Sequence, residues 1–522
     1  MTSNECDVIV IGAGLSGLTA AYHLKKKDPN LHLLVLEAKD RVGGRTVTVP
    51  LKSADGTDYW DLGGQWVGRS QPHIMWLLEE LQLNTYLQYT EGKKFMQLGD
   101  EKIRTYISNI PTFSLCGLLD LFNFANKINK MASLVSVEDP WSCPHAAEWD
   151  AMTLETYKKK TIWTKAVSDL IDAAGRTILG MESSQISLLF YLTYVSGAGG
   201  LKNLTEAGDY TGQEMKIKGG LQQVSRKLVV NIGGENIRLG EPVLSVAQTG
   251  DNVSVTTVSG VKYHCQKLIM AVPPTVIGKI SFRPDLPAFK REVIRHMQPG
   301  SVVKVIITYQ KAFWRHEGFS GEILTNGGPS PTSGCSSSPL CVVYDSTSAN
   351  DNPALVAFIG GYQAVEWMQR TATERKQCVL VQLSTFLGDE VFEPLQYIEK
   401  DWSTEPYSEG GPVCAMAPGS MQYFSRGLRE PIDRIHFAGT ESATVWFGFL
   451  NGAIQSGLRA ATEVLMDLRP QTITADDLKL CKMSVPNRFD SHYEYPWWKI
   501  LSLVAAASLV VSVSVKLIRL KR

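Results

Sequence analysis

The sequence lacks the features that mark several classes of protein. It has no excess of either charge, because 52 Lys and Arg residues balance 52 Asp and Glu residues. Nucleic-acid-binding surfaces are usually basic, so we predict no nucleic-acid partner. The nine cysteines form no CxxC pair and no other spacing typical of metal ligands. The chain therefore predicts neither a metal site nor a disulfide framework.

Long hydrophobic runs are also scarce. The first residues, MTSNECDVIVIGAG, have no basic stretch ahead of a long apolar one, so they predict no signal peptide. One apolar run, 500–515, lies between paired tryptophans and a basic end. As a helix it would span about 24 Å, close to the thickness of the hydrocarbon layer. We predict a linker over 466–496 and a transmembrane tail anchor over 497–518, with a C-terminal core helix as the alternative.

Glycine, in contrast, is concentrated after the first apolar run. DVIVIG predicts a buried parallel strand, and GAGLSG leads from it into a helical stretch and a second apolar run, LHLLVLEA. Gly12 permits a tight turn, Gly14 lets the backbone approach a pyrophosphate, and Gly17 lets helix and strand pack closely. Glu37 stands at the distance from which a carboxylate accepts hydrogen bonds from a ribose. This β–α–β unit predicts a dinucleotide site.

The residues after Glu37 distinguish FAD from NAD. AKDRVGGRT places Arg45 beside a pair of glycines, and DLGGQWVG places Gly63 and Gly64 at a second close approach of the backbone. A nicotinamide enzyme does not need this second glycine–arginine loop. The stretch resembles the fingerprint of the FAD-dependent amine oxidase superfamily.

The resemblance extends along essentially the whole chain. WDLGGQWVG, GSVVKVIITY, YSEGGPVC…PG, FAGTESATVWFGF and the hydrophobic tail follow the order of the flavin-containing monoamine oxidase family. This likeness implies FAD-dependent oxidative deamination, in which an amine, O2 and water give an aldehyde, ammonia and H2O2. It implies primary monoamines as substrates, a homodimer, and a tail anchor in the mitochondrial outer membrane with a cytosolic body. The alternatives are a polyamine or amino-acid oxidase on the same scaffold, or a catalytically silent membrane-tethered flavoprotein.

The spacing of the strand signals predicts an α/β fold with discontinuous domains. The strands KLIMA and IHFAG lie far from the first strand, and long insertions separate them. We predict a Rossmann-like FAD-binding domain over 1–80, 215–290 and 400–465. An inserted substrate-binding domain is predicted over 81–214 and 291–399.

The resemblance also implies individual site residues. Lys304, in the apolar strand VVKVIITY, matches the family lysine that holds a water beside flavin N5, and it is the predicted catalytic residue. A buried cation is costly unless it is paired or hydrated, which also favours a functional role; the alternative is a lysine at the edge of a sheet. The predicted cofactor-binding residues are Gly12, Gly14, Ser16, Gly17, Glu37, Ala38, Arg45, Gly63, Gly64, Val243, Thr440 and Glu441. The predicted substrate-binding residues are Phe449, Trp446, Gln213 and Phe358, with Trp446 one turn before Phe449 on a helix that follows Thr440.

The segment EGGPVCAMAPG, 409–419, departs from the family pattern. Relatives with covalent flavin carry Ser-Gly-Gly-Cys-Tyr, and counting back from Pro418 places Gly411 at the cysteine position and Pro412 at the tyrosine position. Cys414 lies three residues further on, or about 10 Å along an extended chain. We therefore predict non-covalent FAD, with Cys414 a loop thiol near the isoalloxazine. The loss of the tyrosine predicts a wider substrate slot.

Two acidic residues bear on the polyamine alternative. Glu206 and Asp209 lie in NLTEAGDYTGQ, just before Gln213. A carboxylate in the cavity would favour a substrate with a second cationic group. The alternative is that both are solvated loop acids.

Overall fold

The computed structural model describes residues 4–99, 102–107, 110–327, 338–486 and 489. Residues up to Pro486 form one unit with strands and helices interleaved along the chain. The strands are β1 (Glu5–Ile11), β2 (Leu33–Leu36), β3 (Thr48–Ser53), β4 (Gly56–Asp61), β5 (Trp66–Val67), β6 (Thr85–Leu87), β7 (Lys93–Gln97), β8 (Ile103–Tyr106), β9 (Met215–Ile217), β10 (Ile237–Arg238), β11 (Val243–Thr249), β12 (Asn252–Thr257), β13 (Lys262–Met270), β14 (Ser281–Arg283), β15 (Met297–Pro299), β16 (Val302–Thr308), β17 (Phe319–Thr325), β18 (Val342–Asp345), β19 (Ala354–Gly360), β20 (Gln396–Asp401), β21 (Cys414–Met416) and β22 (Ile435–Phe437). The helices are α1 (Leu15–Lys27), α2 (Pro72–Glu80), α3 (Leu115–Ala132), α4 (Ala146–Asp150), α5 (Leu154–Thr161), α6 (Lys165–Ile178), α7 (Leu188–Gly197), α8 (Leu201–Thr205), α9 (Gln222–Ile232), α10 (Pro274–Ile277), α11 (Ala288–His296), α12 (Phe313–His316), α13 (Tyr362–Trp367), α14 (Ala372–Leu387), α15 (Phe424–Arg429), α16 (Leu450–Leu468) and α17 (Ala475–Cys481).

The first large sheet has the order β10-β2-β1-β13-β12-β11-β14, and β22 also pairs with β13. Strand β1 is parallel to β2 and β13, and β13 is parallel to β22. The register sets Ile11 beside Leu36 and Met270, and Met270 beside Phe437. The residues that follow these four strands therefore meet at one edge of the sheet, where open α/β sheets bind their ligands.

The second large sheet has the order β20-β16-β19-β18-β17-β7-β8. Strand β16 is fully buried, with β19 and β20 antiparallel on its two sides. Its strands come almost entirely from the segments predicted for the substrate-binding domain, and those of the first sheet come from the segments predicted for the FAD-binding domain. The α/β prediction is confirmed. The division into two domains stays a prediction.

Helix α16 begins later than the sequence suggests. Thr440–Ser442 form a short 3-10 turn, and the α-helix starts at Leu450. Trp446 has φ of 52° and Gly448 has φ of 84°, so both lie in the left-handed region, which a right-handed helix cannot include. The prediction of one continuous helix from Thr440 through Trp446 is wrong for this reason.

The segment predicted as a linker is structured as far as Pro486. Thr474 and Asp477 form a capping box that starts α17. Asp477 also pairs with Lys27 of α1 at 2.6 Å, and the Nε2 of His73 on α2 lies 3.0 Å from the carbonyl oxygen of Leu480. Residues 466–486 therefore pack against the body of the protein.

The predicted anchor over 497–518 lies outside the described residues, as does the rest of the predicted linker except Phe489. Within the part of the chain that the structure describes, no helix is both long and apolar enough to cross a membrane.

Candidate active site

A cavity of about 510 Å³ extends from the carboxyl edge of the first sheet to β16 and β19 of the second. It brings together most of the residues predicted from the sequence. Those that line it are Gly12, Gly14, Ser16, Glu37, Ala38, Arg45, Gly63, Gly64, Gln213, Val243, Lys304, Phe358, Thr440 and Phe449. Gly17, Glu441 and Trp446 do not line it.

The glycine-rich turn packs so closely against neighbouring backbone that side chains would not fit at several of its positions. Gly12 has φ of 102°, and a Cβ there would lie 2.9 Å from the carbonyl oxygen of Ala271. A Cβ on Gly44 would lie 3.2 Å from the Cα of Gly14, so the two backbones approach closely. A Cβ on Gly17 would lie 2.0 Å from the carbonyl oxygen of Gly12. Gly17 therefore serves helix–strand packing outside the cavity, as the fingerprint predicts.

Glu37 lies directly after β2 and is 6% exposed. Its carboxylate accepts hydrogen bonds from the backbone N–H of Ala13 at 2.7 Å and of Lys39 at 3.0 Å. Burial raises the pKa of Glu37, and the two backbone donors oppose that rise. The carboxylate is thus held in place at the cavity wall, with acceptor capacity for ribose hydroxyls. The cradle and the acid together fit the adenosine half of FAD.

Arg45 and Glu441 connect the two ends of the chain. The guanidinium of Arg45 donates to both carboxylate oxygens of Glu441, at 2.6 and 3.0 Å, and to the carbonyl oxygen of Pro412 at 2.9 Å. Burial opposes ionisation of Glu441, but the charge and hydrogen bonds of Arg45 hold the pKa of Glu441 below its usual value. Glu441 therefore stabilises the cavity wall from behind.

Cys414 is not the loop thiol that the sequence suggested. It begins β21, which pairs with β15, and it is 1% exposed. Burial, together with the nearby carboxylate of Glu441, raises the pKa of the thiol well above its usual value. Gly411 and Pro412 line the cavity, whereas Cys414 does not.

Lys304 projects from the centre of β16 and is 2% exposed. Its ammonium donates to the carbonyl oxygen of Gly63 at 2.9 Å and to Oε1 of Gln65 at 2.5 Å. It lies 6.0 Å from the ring centre of Trp66 and 5.6 Å from that of Phe358. Burial lowers the pKa of Lys304, the charge of Asp61 only partly opposes that change, and the charge of Lys216 adds to it.

Aromatic rings dominate the cavity around Lys304. Trp66 and Phe358 lie 5.7 Å apart, and Tyr194 stacks on Phe449 at 5.8 Å with an interplanar angle of 28°. We call the region formed by Lys304, Trp66, Tyr194, Gln213, Phe358 and Phe449 the aromatic end. No carboxylate is among these residues.

Sequence reasoning missed Trp66 and Tyr194. Trp66 lies within the DLGGQWVG segment, where the glycines give a clear signal and the tryptophan gives none. Tyr194 lies on α7, whose residues are all buried. A helix buried on every side gives no periodic signal that separates a cavity-lining ring from a core ring.

Trp446 contributes indirectly. Its indole N–H donates to the carbonyl oxygen of Ser70 at 2.9 Å, and its ring contacts Phe449 edge-on at 4.8 Å. Trp446 is 1% exposed, so it supports Phe449 from the core side. Trp446 does not line the cavity, because it precedes α16 and does not share a helical face with Phe449 as the sequence predicted.

Gln213 offers an acceptor at the cavity. Its Nε2 donates to the carbonyl oxygen of Leu204 at 3.2 Å, while Oε1 is buried and has no partner among the described residues. Asp209 is 84% exposed at its side chain and pairs with Arg69 at 2.9 Å. Neither Glu206 nor Asp209 lines the cavity. Both acids therefore lie outside the wall of the cavity.

Comparison with known proteins agrees with the site. Residues 15–465 match the model of the family described as flavin containing amine oxidoreductase. Human amine oxidase [flavin-containing] B is 35% identical over 473 residues, which cover 89% of this chain and 86% of that protein.

Solved structures are similar over the same range. A putrescine oxidase bound to putrescine aligns with a TM-score of 0.81 at 28% identity, covering 88% of this chain and 99% of that chain. Cyclohexylamine oxidase from Brevibacterium oxydans IH-35A aligns with a TM-score of 0.81 at 28% identity, covering 89% and 99%. The cofactor is FAD, and the reaction is the FAD-dependent oxidative deamination of amines. The chain belongs to the flavin containing amine oxidoreductase family.

Proposed function

We propose that this enzyme oxidises apolar primary monoamines and that it binds FAD without a covalent bond. The observation that carries the proposal is the aromatic end, which combines a buried lysine with stacked rings and no carboxylate. A diamine or polyamine would place a second cation against apolar surface, which is costly without a charged partner. An amino acid would need a cation for its carboxylate, and Lys304 is already held by Gly63 and Gln65.

In this proposal the glycine-rich turn, Glu37 and the Arg45 loop would hold FAD, which when bound would supply the two-electron oxidation of the carbon next to the amine nitrogen. The amine R–CH2–NH2 and O2 give R–CH=NH and H2O2, and water then converts the imine to aldehyde and ammonia.

The residues of the aromatic end prepare the amine for this step. An amine reaches the site mainly as an ammonium ion, and only the neutral form has the free nitrogen lone pair. The stacked rings exclude water, which favours loss of the ammonium proton. The charge of Lys304 acts in the same direction, because like charges in a buried site disfavour each other. The unpartnered Oε1 of Gln213 is available to accept an N–H of the bound amine.

Substrate class is tested by adding amines singly to the enzyme without oxygen and recording the visible flavin band. Aryl-alkyl and alkyl monoamines are expected to bleach the band, and air should restore it with release of H2O2. Diamines, polyamines and amino acids of similar length should react at least about tenfold more slowly, because they carry an additional charge into an apolar site. Equal rates for hexylamine and 1,6-diaminohexane would refute the assignment.

Non-covalent FAD is tested by denaturing the enzyme in acid. The flavin is expected in the supernatant, because the count along the sequence places Gly411 at the position of the family cysteine and because Cys414 is a buried thiol outside the cavity. Yellow precipitated protein, and a flavin-bearing Cys414 peptide in a mass spectrum, would contradict this prediction. A Cys414→Ser variant should hold the same amount of FAD as the unchanged enzyme.

We further propose that 497–518 anchors the enzyme in the mitochondrial outer membrane with its body in the cytosol, and that the enzyme is a homodimer. The support is the apolar run with flanking tryptophans and cations. The full chain should float with mitochondrial membranes in a density gradient, whereas a chain ending at residue 496 should stay at the bottom. Cofractionation of both chains with membranes would argue against the anchor.

A further inference from the structure

Gln65 joins the aromatic end to a second cavity. This cavity has a volume of about 120 Å³ and mostly polar walls, formed in part by Asp58, Asp61, Tyr86, Lys216 and Ser348. Gln65 lines both cavities and is 4% exposed. The second cavity therefore lies on the other side of the residue that holds Lys304.

The orientation of the Gln65 amide follows from its partner. A lysine ammonium has donors only, so the atom that faces Nζ of Lys304 at 2.5 Å is the acceptor Oε1. The Nε2 group then points elsewhere, and this buried donor has no partner among the described residues. Buried amide groups are nearly always satisfied, by protein or by ordered water. A polar cavity of this size has room for several water molecules.

We propose that the second cavity binds ordered water that fixes the Gln65 amide, and that Gln65 is a positioning residue that sets the charge of Lys304. The water accepts from Nε2, and Oε1 in turn holds the ammonium of Lys304 at the wall of the aromatic end. The proposal concerns the same site as the proposed function, but it requires only bound FAD and not a particular amine.

Several charged groups surround this arrangement and act on it from different elements. Asp58 of β4 is held by Ser348 and Asn352, and these hydrogen bonds keep its pKa low despite burial. Burial raises the pKa of Asp61 of β4 and lowers that of Lys216 of β9. The titratable and charged groups that face Gln65, Lys304 or the second cavity are Asp58, Tyr59 and Asp61 from β4, Tyr86 from β6, Lys216 and Lys218 at β9, Asp345 from β18 and Arg315 from α12.

Gln65 is the residue to replace in a test, because its side chain contacts Lys304 directly and the charged neighbours do not. Asp61 accepts hydrogen bonds from Thr48 at 2.5 Å and from the backbone N–H of Leu221 at 2.9 Å, whereas the ammonium of Lys304 donates to Gly63 and Gln65. Asp61 and Lys216 act on Lys304 only through space, with opposite signs. Gln65 contacts the ammonium directly. Replacement of Gln65 should therefore move the titration of Lys304 while leaving the surrounding charges in place.

The test is a pH titration of the visible absorption of the bound, oxidised flavin, without any amine. A transition that disappears in Lys304→Met reports the charge of Lys304. Gln65→Leu removes the acceptor and should lower the midpoint by about one pH unit, whereas Gln65→Glu adds a negative charge and should raise it by about one unit or more. Gln71→Leu is the matched control, because Gln71 is also fully buried, its amide has no partner among the described residues, and it lines neither cavity.

Each outcome decides the proposal. Opposite shifts in the two Gln65 variants, with none in Gln71→Leu, support it; coincident curves for Gln65→Leu, Gln71→Leu and the unchanged enzyme overturn it. If Gln65→Leu does not fold, Gln65→Glu carries the test, and an unmoved midpoint again overturns it. A crystal structure should show water within hydrogen-bonding distance of Gln65 Nε2, and a dry second cavity would overturn the water site. An enzyme that no amine reduces would refute the proposed function but would leave this titration intact.

Discussion

Lys304→Met is expected to slow turnover by about 100-fold or more, the range typical of a group that moves or holds a proton beside the reacting atoms. The methionine side chain is nearly as long as that of lysine and is apolar, so the packing of β16 between β19 and β20 should be preserved. The loss is the ammonium that faces the aromatic end between Trp66 and Phe358. Steady-state rates with the best monoamine measure the effect, and the visible spectrum shows that FAD is retained.

Lys290→Met provides the matched control. Lys290 is 1% exposed, and burial lowers its pKa to about 7, yet it lies outside the main cavity with its ammonium 3.5 Å from the ring centre of Phe437. Its replacement should leave the turnover rate unchanged. Equal losses in the two variants would show that removal of any buried lysine damages the fold and would remove the case for Lys304.

Lys304→Met should also change how the stability of the protein depends on pH. The pKa of Lys304 is lowered by burial from 10.5 to about 7, so between these values the unfolded chain binds more protons at this site than the folded one. The free energy of unfolding therefore rises as the pH increases through this window, and this gain in stability is lost as the pH falls toward 7. Lys304→Met should flatten the rise. Urea unfolding at several pH values measures it.

Local signals in the sequence predicted one side of the site. The turn after β1, the acid after β2 and the lysine within β16 are each defined by a few neighbouring residues whose types fix the backbone or the charge. Gly12, Glu37 and Lys304 accordingly line one cavity. The register of β1, β2 and β13 explains why residues far apart in the chain meet there.

Contacts between distant segments were not predictable in the same way. Gln65 and Tyr194 became site residues only because β16 and Phe449 are packed against them, and the sequence near each contains no sign of that partner. Cys414 resembled a loop residue because turn-forming residues surround it, but pairing of β21 with β15 buries it. The start of α16 depended on two left-handed residues, one of which is a tryptophan that rarely adopts this conformation.

Glu441→Ala is expected to lower the free energy of unfolding by about 3–5 kcal/mol, because it leaves the guanidinium of Arg45 without its bidentate partner in a buried site. Glu441 also accepts from the backbone N–H of Cys414 at 3.4 Å, and Arg45 donates to the carbonyl oxygen of Pro412. The substitution therefore loosens the 411–414 segment at the cavity wall. Less FAD per protein and a lower melting temperature should be found together.

Two companion variants separate charge from shape. Glu441→Gln keeps the size and one acceptor, so its loss should be smaller than that of Glu441→Ala. The double variant Arg45→Met with Glu441→Leu removes both charges and should recover part of the stability, since an apolar pair often replaces a buried ion pair at little cost. If the double variant is as unstable as the sum of the single ones, the two residues do not act as a pair.

The pH dependence of this ion pair has a definite sign. Arg45 overcomes the effect of burial and holds the pKa of Glu441 below its usual value of 4.5. The carboxylate therefore stabilises the fold fully above pH 4.5, and this contribution is lost as the pH falls through the lowered pKa. In the unchanged enzyme, FAD release and unfolding should both begin as the solution is acidified below that point. In Glu441→Gln, FAD release and unfolding should change less over the same pH range. This difference distinguishes loss of the ion pair from general acid unfolding.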